Sequence, residues 1–143
     1  MKELEDNVGD IPRKPGVYVA VAANETAPRF LMRNPAGRYG GDPTVRVSQL
    51  EAKWIQGAQT LYIGKAKKSL KKRIAQLVKY SRGRKVAHRG GRFLWQVEGS
   101  SNFQVAWLED KNPTGKERTL LREFEGCFGR LPFANLRRER QNA

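Results

Sequence analysis

The sequence predicts an α/β domain of the α+β kind: a small, mainly antiparallel sheet flanked by helices. Three observations predict it. GVYVAVA (16–22), LYIG (61–64) and FQVAWLE (103–109) are rich in β-branched and aromatic residues and read as strands. Two segments, 69–80 and 114–128, repeat apolar residues at helical spacing. The 143 residues, 38% hydrophobic and 29% charged, suit one globular domain with a modest core.

In chain order, residues 1–14 read as a loose lead-in, and the first strand follows Pro15. RFLMRN (29–34) and TVRVSQL (44–50) read as a further strand pair, separated by the turn-forming NPAGRYGGDP. After LYIG, Ser69 is a helix N-cap, and Leu70, Ile74, Leu77 and Val78 form the apolar stripe of SLKKRIAQLVKY. SRGRKVAHRGGR (81–92) is a basic, glycine-containing loop, and FLWQV (93–97) fits strand or helix equally. Thr114 and Glu117 have the spacing of a capping box at the start of a last helix reaching about Phe128. Its stripe is Leu120, Leu121, Phe124 and Phe128. The chain ends in a basic tail, 136–143.

The formal net charge is +14, which points to a polyanionic partner. Nucleic acid comes before membrane, because no amphipathic or lipidated anchor and no membrane-spanning run is visible. The acidic start, MKELEDNVGD, is unlike a secretory signal, and a single cysteine, Cys127, allows no intrachain disulfide and no cysteine-built metal site. The expected setting is the cytoplasm, on the nucleoid when DNA is bound. From Ala52 to Val97 there is no Asp or Glu. Like charges this dense repel, and a phosphate backbone would relieve them. Lys67, Lys68, Lys72, Arg84, Lys85, His88, Arg89 and Arg92 are the residues expected on nucleic acid.

Two charges fall on apolar stripes. Arg73 lies three residues after Leu70 and four before Leu77, and Glu123 lies three after Leu120 and four before Cys127. Charges at such places need partners. Either the two pair with each other or snorkel to water, or they belong to a site at the sheet surface, Glu123 holding a divalent cation and Arg73 a phosphate.

Gly16-Val17-Tyr18, Tyr62-Ile63-Gly64, Arg73, Glu123 and Asn135 stand in an order that resembles the GIY-YIG nuclease superfamily, over residues 15–137. PGVY, YIGKA, LKKR and ERTLLRE look most like its excision-repair branch. The resemblance implies hydrolysis of DNA phosphodiesters with one divalent cation, Mg²⁺ or Mn²⁺. It makes Tyr62 the general base or water-positioning group and Tyr18 its neighbour and orienter. It also implies that Lys65 supplies charge at the rim, that Arg73 steadies phosphate, that Glu123 is the sole protein metal ligand, and that Asn135 supports the site. Lys65, Arg73 and a bound cation would favour the Tyr62 phenolate. Gly64 is expected to let the chain turn tightly after the tyrosine. The family's two motif strands are joined by a short hairpin, so residues 23–58 are an insertion here, and Leu77 stands where some branches carry a histidine. A nucleic-acid-binding module of the same fold without turnover, and an RNA-directed protein, are the competing functions. Specificity would come from the insertion, the 81–92 loop, the tail, a second copy or another protein.

Overall fold

The central strand, β1 (Gly16–Val21), pairs antiparallel with β2 (Thr60–Ala66) on one side and with β3 (Gln104–Glu109) on the other. This computed structural model describes residues 10–22, 28–36, 42, 44–81 and 91–135. In register, Tyr18 faces Gly64 and Trp107, and Ala20 faces Tyr62 and Val105. Strand alternation sends Tyr18, Ala20 and Tyr62 to one face, and Val17, Val19, Ile63 and Lys65 to the other. Both faces of β1 are largely buried, which suits its continuous apolar run. The α+β class is as the sequence predicts.

Four helices follow the chain: α1 (Val47–Lys53), α2 (Leu70–Ser81), the single turn α3 (Arg92–Trp95) and α4 (Pro113–Phe128). Helix α2 buries Leu70, Ile74, Leu77 and Val78 on the tyrosine face, with Phe93, Leu94, Trp95 and Phe133 in the same core. Helix α4 buries Leu121 and Phe124 against Ile63 and Val19 on the opposite face. Among the described residues, no helix is long and apolar enough to cross a membrane.

Residues 10–14 are not a loose lead-in. Ile11 is in the core, and the carbonyls of Pro12 and Lys14 accept from the amides of Lys71 and Leu70. Ser69 Oγ accepts from Lys72 N at 3.2 Å, as expected of its N-cap. The first three amides of α2 are thereby satisfied, which a helix end otherwise leaves to water. Helix α4 is capped by Asn112, whose Oδ1 accepts from Gly115 N, with Pro113 in the first turn. The expected capping box of Thr114 and Glu117 is therefore not the start of this helix.

The inserted strand pair is absent from the described residues. TVRVSQL contributes to α1, and RFLMRN forms only an isolated bridge from Phe30 to Val97. Val45 could not join a ladder because Gln96 takes both its backbone groups: Val45 N donates to Gln96 Oε1 at 2.8 Å, and Gln96 Nε2 donates to Val45 O at 2.7 Å. The same Nε2 donates to Leu31 O at 2.8 Å, and Leu31 N to Gln96 O at 2.7 Å. A glutamine 0% exposed thus ties the insertion to the domain. FLWQV resolves as α3 followed by the bridge at Val97. Gln96→Leu keeps the volume but leaves three buried backbone bonds unmade. It should cost about 2–4 kcal/mol and lower the melting temperature by about 5–12 °C. Thermal denaturation checks this, and a loss under about 0.5 kcal/mol would mean that Gln96 is not the tie.

Candidate active site

The site is built around two tyrosines from adjacent strands. Tyr18 and Tyr62 have ring centroids 6.1 Å apart, and both are buried, at 1% and 8% exposure. Tyr18 can lie across β2 only because residue 64 has no side chain. A Cβ on Gly64 would sit 2.5 Å from Tyr18 Cζ and 2.6 Å from its hydroxyl oxygen. The expected tight turn at Gly64 is not there. Strand β2 runs through it to Ala66, and its φ is not positive. The glycine clears a path for a ring rather than bending the chain.

Arg73 comes from the first turns of α2 and reaches the pair. Its guanidinium hydrogen-bonds the Tyr18 hydroxyl, and its Nη1 donates to Gln76 Oε1 at 3.1 Å. The Tyr18 hydroxyl also bonds Tyr62, in the sense that favours a phenolate on Tyr62 and opposes one on Tyr18. A phenolate on Tyr62 would therefore have the Tyr18 hydroxyl as its donor.

Neither tyrosine ionises easily. Burial pushes Tyr18 well above the ordinary 10.0 and also raises Tyr62, and the Arg73 charge offsets this only in part. Arg73 favours the Tyr62 phenolate, as expected, but loss of hydration on burial outweighs it. Folded values above the unfolded one mean that these groups hold their full stability below about pH 10 and lose it as pH rises beyond. Two of the four tyrosines should resist ionisation in an alkaline titration until the protein unfolds, followed by phenolate absorbance alongside circular dichroism. Four tyrosines titrating together in the folded state would contradict this burial.

The carboxylate of the site is Glu117. It projects from α4 on the same face as Leu121 and Phe124, and its Oε1 lies 3.8 Å from Lys65 Nζ. Its side chain is 14% exposed, and its charge acts on Tyr62. Burial raises its carboxyl above the ordinary range, against the lowering pull of Lys65 and Lys67. Glu123 does not join it. Glu123 is exposed, as is Cys127, the residue that framed its place on the supposed stripe. Six residues along an α-helix turn about 600°, so Glu123 points roughly 120° away from Glu117. The expectation that Glu123 projects from the buried face is corrected: the buried face runs through 117, 121 and 124. Glu117 was hidden in the sequence by its capping-box spacing. The signal that finds it is its place four residues before Leu121.

Asn135 closes the edge of β2. Ile63 N donates to Asn135 Oδ1, and Asn135 Nδ2 donates to Ile63 O, both at 2.9 Å. The side chain mimics a strand neighbour on the tyrosine strand, and Lys53 Nζ reaches Asn135 O at 3.4 Å. Tyr18, Tyr62 and Arg73 thus gather on one side of β2, with Lys65 and Glu117 on the other side of the same edge strand. Of the residues expected on nucleic acid, Lys67 and Lys68 are exposed just after β2 and Lys72 is exposed on α2. Arg92 is half-buried, its guanidinium 5.6 Å from the Phe93 ring centroid. Arg84, Lys85, His88 and Arg89 lie outside the described residues, as does the tail.

No family model, no curated protein and no solved structure matches the chain. The class that the fold defines is α+β, with a three-stranded antiparallel sheet. Among the described residues, no group of three or more His, Cys, Asp or Glu side chains gathers. Glu117 fits a cation of the Mg²⁺ kind on the chemistry of the donor alone: a hard carboxylate oxygen, still partly exposed, beside Lys65.

Proposed function

We propose that the chain is a metal-dependent endonuclease that hydrolyses DNA phosphodiesters, similar to GIY-YIG nucleases. The observation that carries this is the assembly of Tyr62, Tyr18, Arg73, Lys65 and Glu117 around one edge strand, from segments that are far apart in the chain. Within it, Tyr62 takes or steers the proton of an attacking water, and Tyr18 holds the Tyr62 oxygen by its own hydroxyl. Arg73 lies against both tyrosines and stabilises charge developing on the phosphate. Lys65 guides the phosphate in at the rim. Glu117 would hold a single Mg²⁺ or Mn²⁺. When bound, that cation supplies Lewis-acid activation of the phosphate and a positive field that offsets the burial of Tyr62. The exposed Lys67, Lys68 and Lys72 hold the backbone on either side, and binding weakens with salt.

The second reading is a binding module without turnover. It is favoured by the burial that keeps both tyrosines protonated. Supercoiled plasmid, branched duplex and single-stranded DNA, each with Mg²⁺, Mn²⁺ or EDTA, separate the two. Nicking that needs the metal supports the nuclease. Salt-sensitive binding with no cut in any substrate supports the module. Preferential binding and cutting of RNA would overturn the DNA assignment.

A further inference from the structure

Met32 is 82% exposed, well beyond Leu108 at 53% and Phe128 at 41%, the other large apolar side chains exposed among the described residues. A single exposed apolar residue is ordinary on a surface. The setting of Met32 is less ordinary. The backbone on its N-terminal side is tied by Glu98 N to Arg29 O at 2.7 Å, by the Phe30–Val97 bridge, and by the two bonds between Leu31 and Gln96. The Phe30 ring stacks 5.9 Å from Phe133 and meets Trp54 edge-on at 6.0 Å. On the C-terminal side, Asn34 is 4% exposed, donates to Arg92 O at 2.6 Å and accepts from Ala36 N at 2.9 Å. Met32 and Arg33 stand out between these two anchors, both exposed.

Charge frames the tip as well. Arg29 and Arg33 are both exposed, and neither has an ion pair or side-chain hydrogen bond among the described residues. A long, polarisable apolar side chain exposed on a segment that also exposes two arginines, Arg29 and Arg33, matches one partner chemistry closely. Proteins that bend duplex DNA push Met, Leu or Phe between stacked bases from the minor groove, with arginines on the groove walls and phosphates. A preorganised tip loses little entropy on insertion.

We infer that the 29–33 tip is a wedge that enters a base step of duplex DNA, Met32 unstacking the bases while Arg29 and Arg33 hold the flanking backbone. The inference rests on the proposed action on DNA and adds what the site itself lacks, a means of choosing substrate. Unstacking costs least at mismatches, branches and flexible pyrimidine–purine steps, so the wedge directs binding to deformable duplex.

The test uses a duplex carrying 2-aminopurine beside a single mismatch and a fully paired control, both in EDTA so that no strand is cut. Wild type should raise 2-aminopurine fluorescence and bind the mismatched duplex about tenfold more tightly than the paired one. Met32→Ala should lose most of the fluorescence rise and the preference, and keep its affinity for paired duplex within about threefold, since the phosphate contacts remain. Met32→Phe should retain both. An unchanged melting temperature is expected for each variant, because the side chain touches little. Binding by wild type without a fluorescence rise, or a Met32→Ala variant equal to wild type, overturns the wedge and leaves the nuclease reading standing. Failure of wild type to bind any duplex overturns both.

Discussion

Glu117→Gln should abolish metal-dependent nicking, a loss of at least about a hundredfold, and leave the protein slightly more stable than wild type. The two effects have one cause. The Glu117 carboxyl is raised by burial, and the pull of Lys65 and Lys67 does not cancel it. The folded value exceeds the unfolded one, so ionisation of this group costs stability, and the cost grows as pH rises from below the ordinary 4.5 through the folded value. At neutral pH the glutamine removes that cost. The Lys65 contact, at 3.8 Å, is too long to return much of it. A rise of about 1–2 °C in melting temperature corresponds to ~0.5 kcal/mol in a chain of this size. Glu123→Gln, on the exposed face of α4, should change neither nicking nor melting. Plasmid cleavage and thermal denaturation of the two variants decide the matter together. Loss of nicking in Glu123→Gln with full activity in Glu117→Gln would refute the assignment of the carboxylate. A gain in stability coupled to a loss of function is what a half-buried carboxylate kept for chemistry should give.

That pair of glutamates also shows how far the sequence could be read. Helix α2 was legible because its stripe of Leu70, Ile74, Leu77 and Val78 is unbroken, and all four are buried. The stripe of α4 carries a carboxylate at 117, a cysteine at 127 and a phenylalanine at 128 that is 41% exposed. Its phase was therefore ambiguous by one residue in the turn, enough to move the expected glutamate to the wrong face. Within the insertion, Val45 and Val47 read as strand by propensity. A distant glutamine overrides them by taking both backbone groups of Val45. Such long-range hydrogen bonds leave no local periodicity. The ionisation of the tyrosines was only half legible for a similar reason: the favouring charge of Arg73 is visible in a sequence, whereas the depth at which Tyr18 and Tyr62 lie is not.

Gly64→Ala should lower cleavage by about 10–100-fold and cost about 1–3 kcal/mol, the range for forcing a methyl into a packed interior. The added Cβ meets the far end of Tyr18, which would be a cheap clash if that end could swing aside. It cannot. Tyr18 is 1% exposed, sits on the central strand with neighbours on both sides, and hydrogen-bonds Arg73 and Tyr62 through the hydroxyl that must move. Any shift that relieves the clash separates Tyr18 from Tyr62 and frees the Tyr62 oxygen from its donor. Backbone strain is not the cause, since φ at residue 64 suits any amino acid. A double-mutant cycle isolates the contact. In a Tyr18→Ala background the methyl meets empty space, and Gly64→Ala should cost under about 0.5 kcal/mol there. Tyr18→Phe separates the hydroxyl from the ring, keeping the packing while removing the donor to Tyr62. It should cost about 1–2 kcal/mol for the unmade buried bonds, lowering the melting temperature by a few degrees, while its nicking falls much further. Equal stability costs for Gly64→Ala in both backgrounds would show that residue 64 is a glycine for some reason other than the passage of Tyr18.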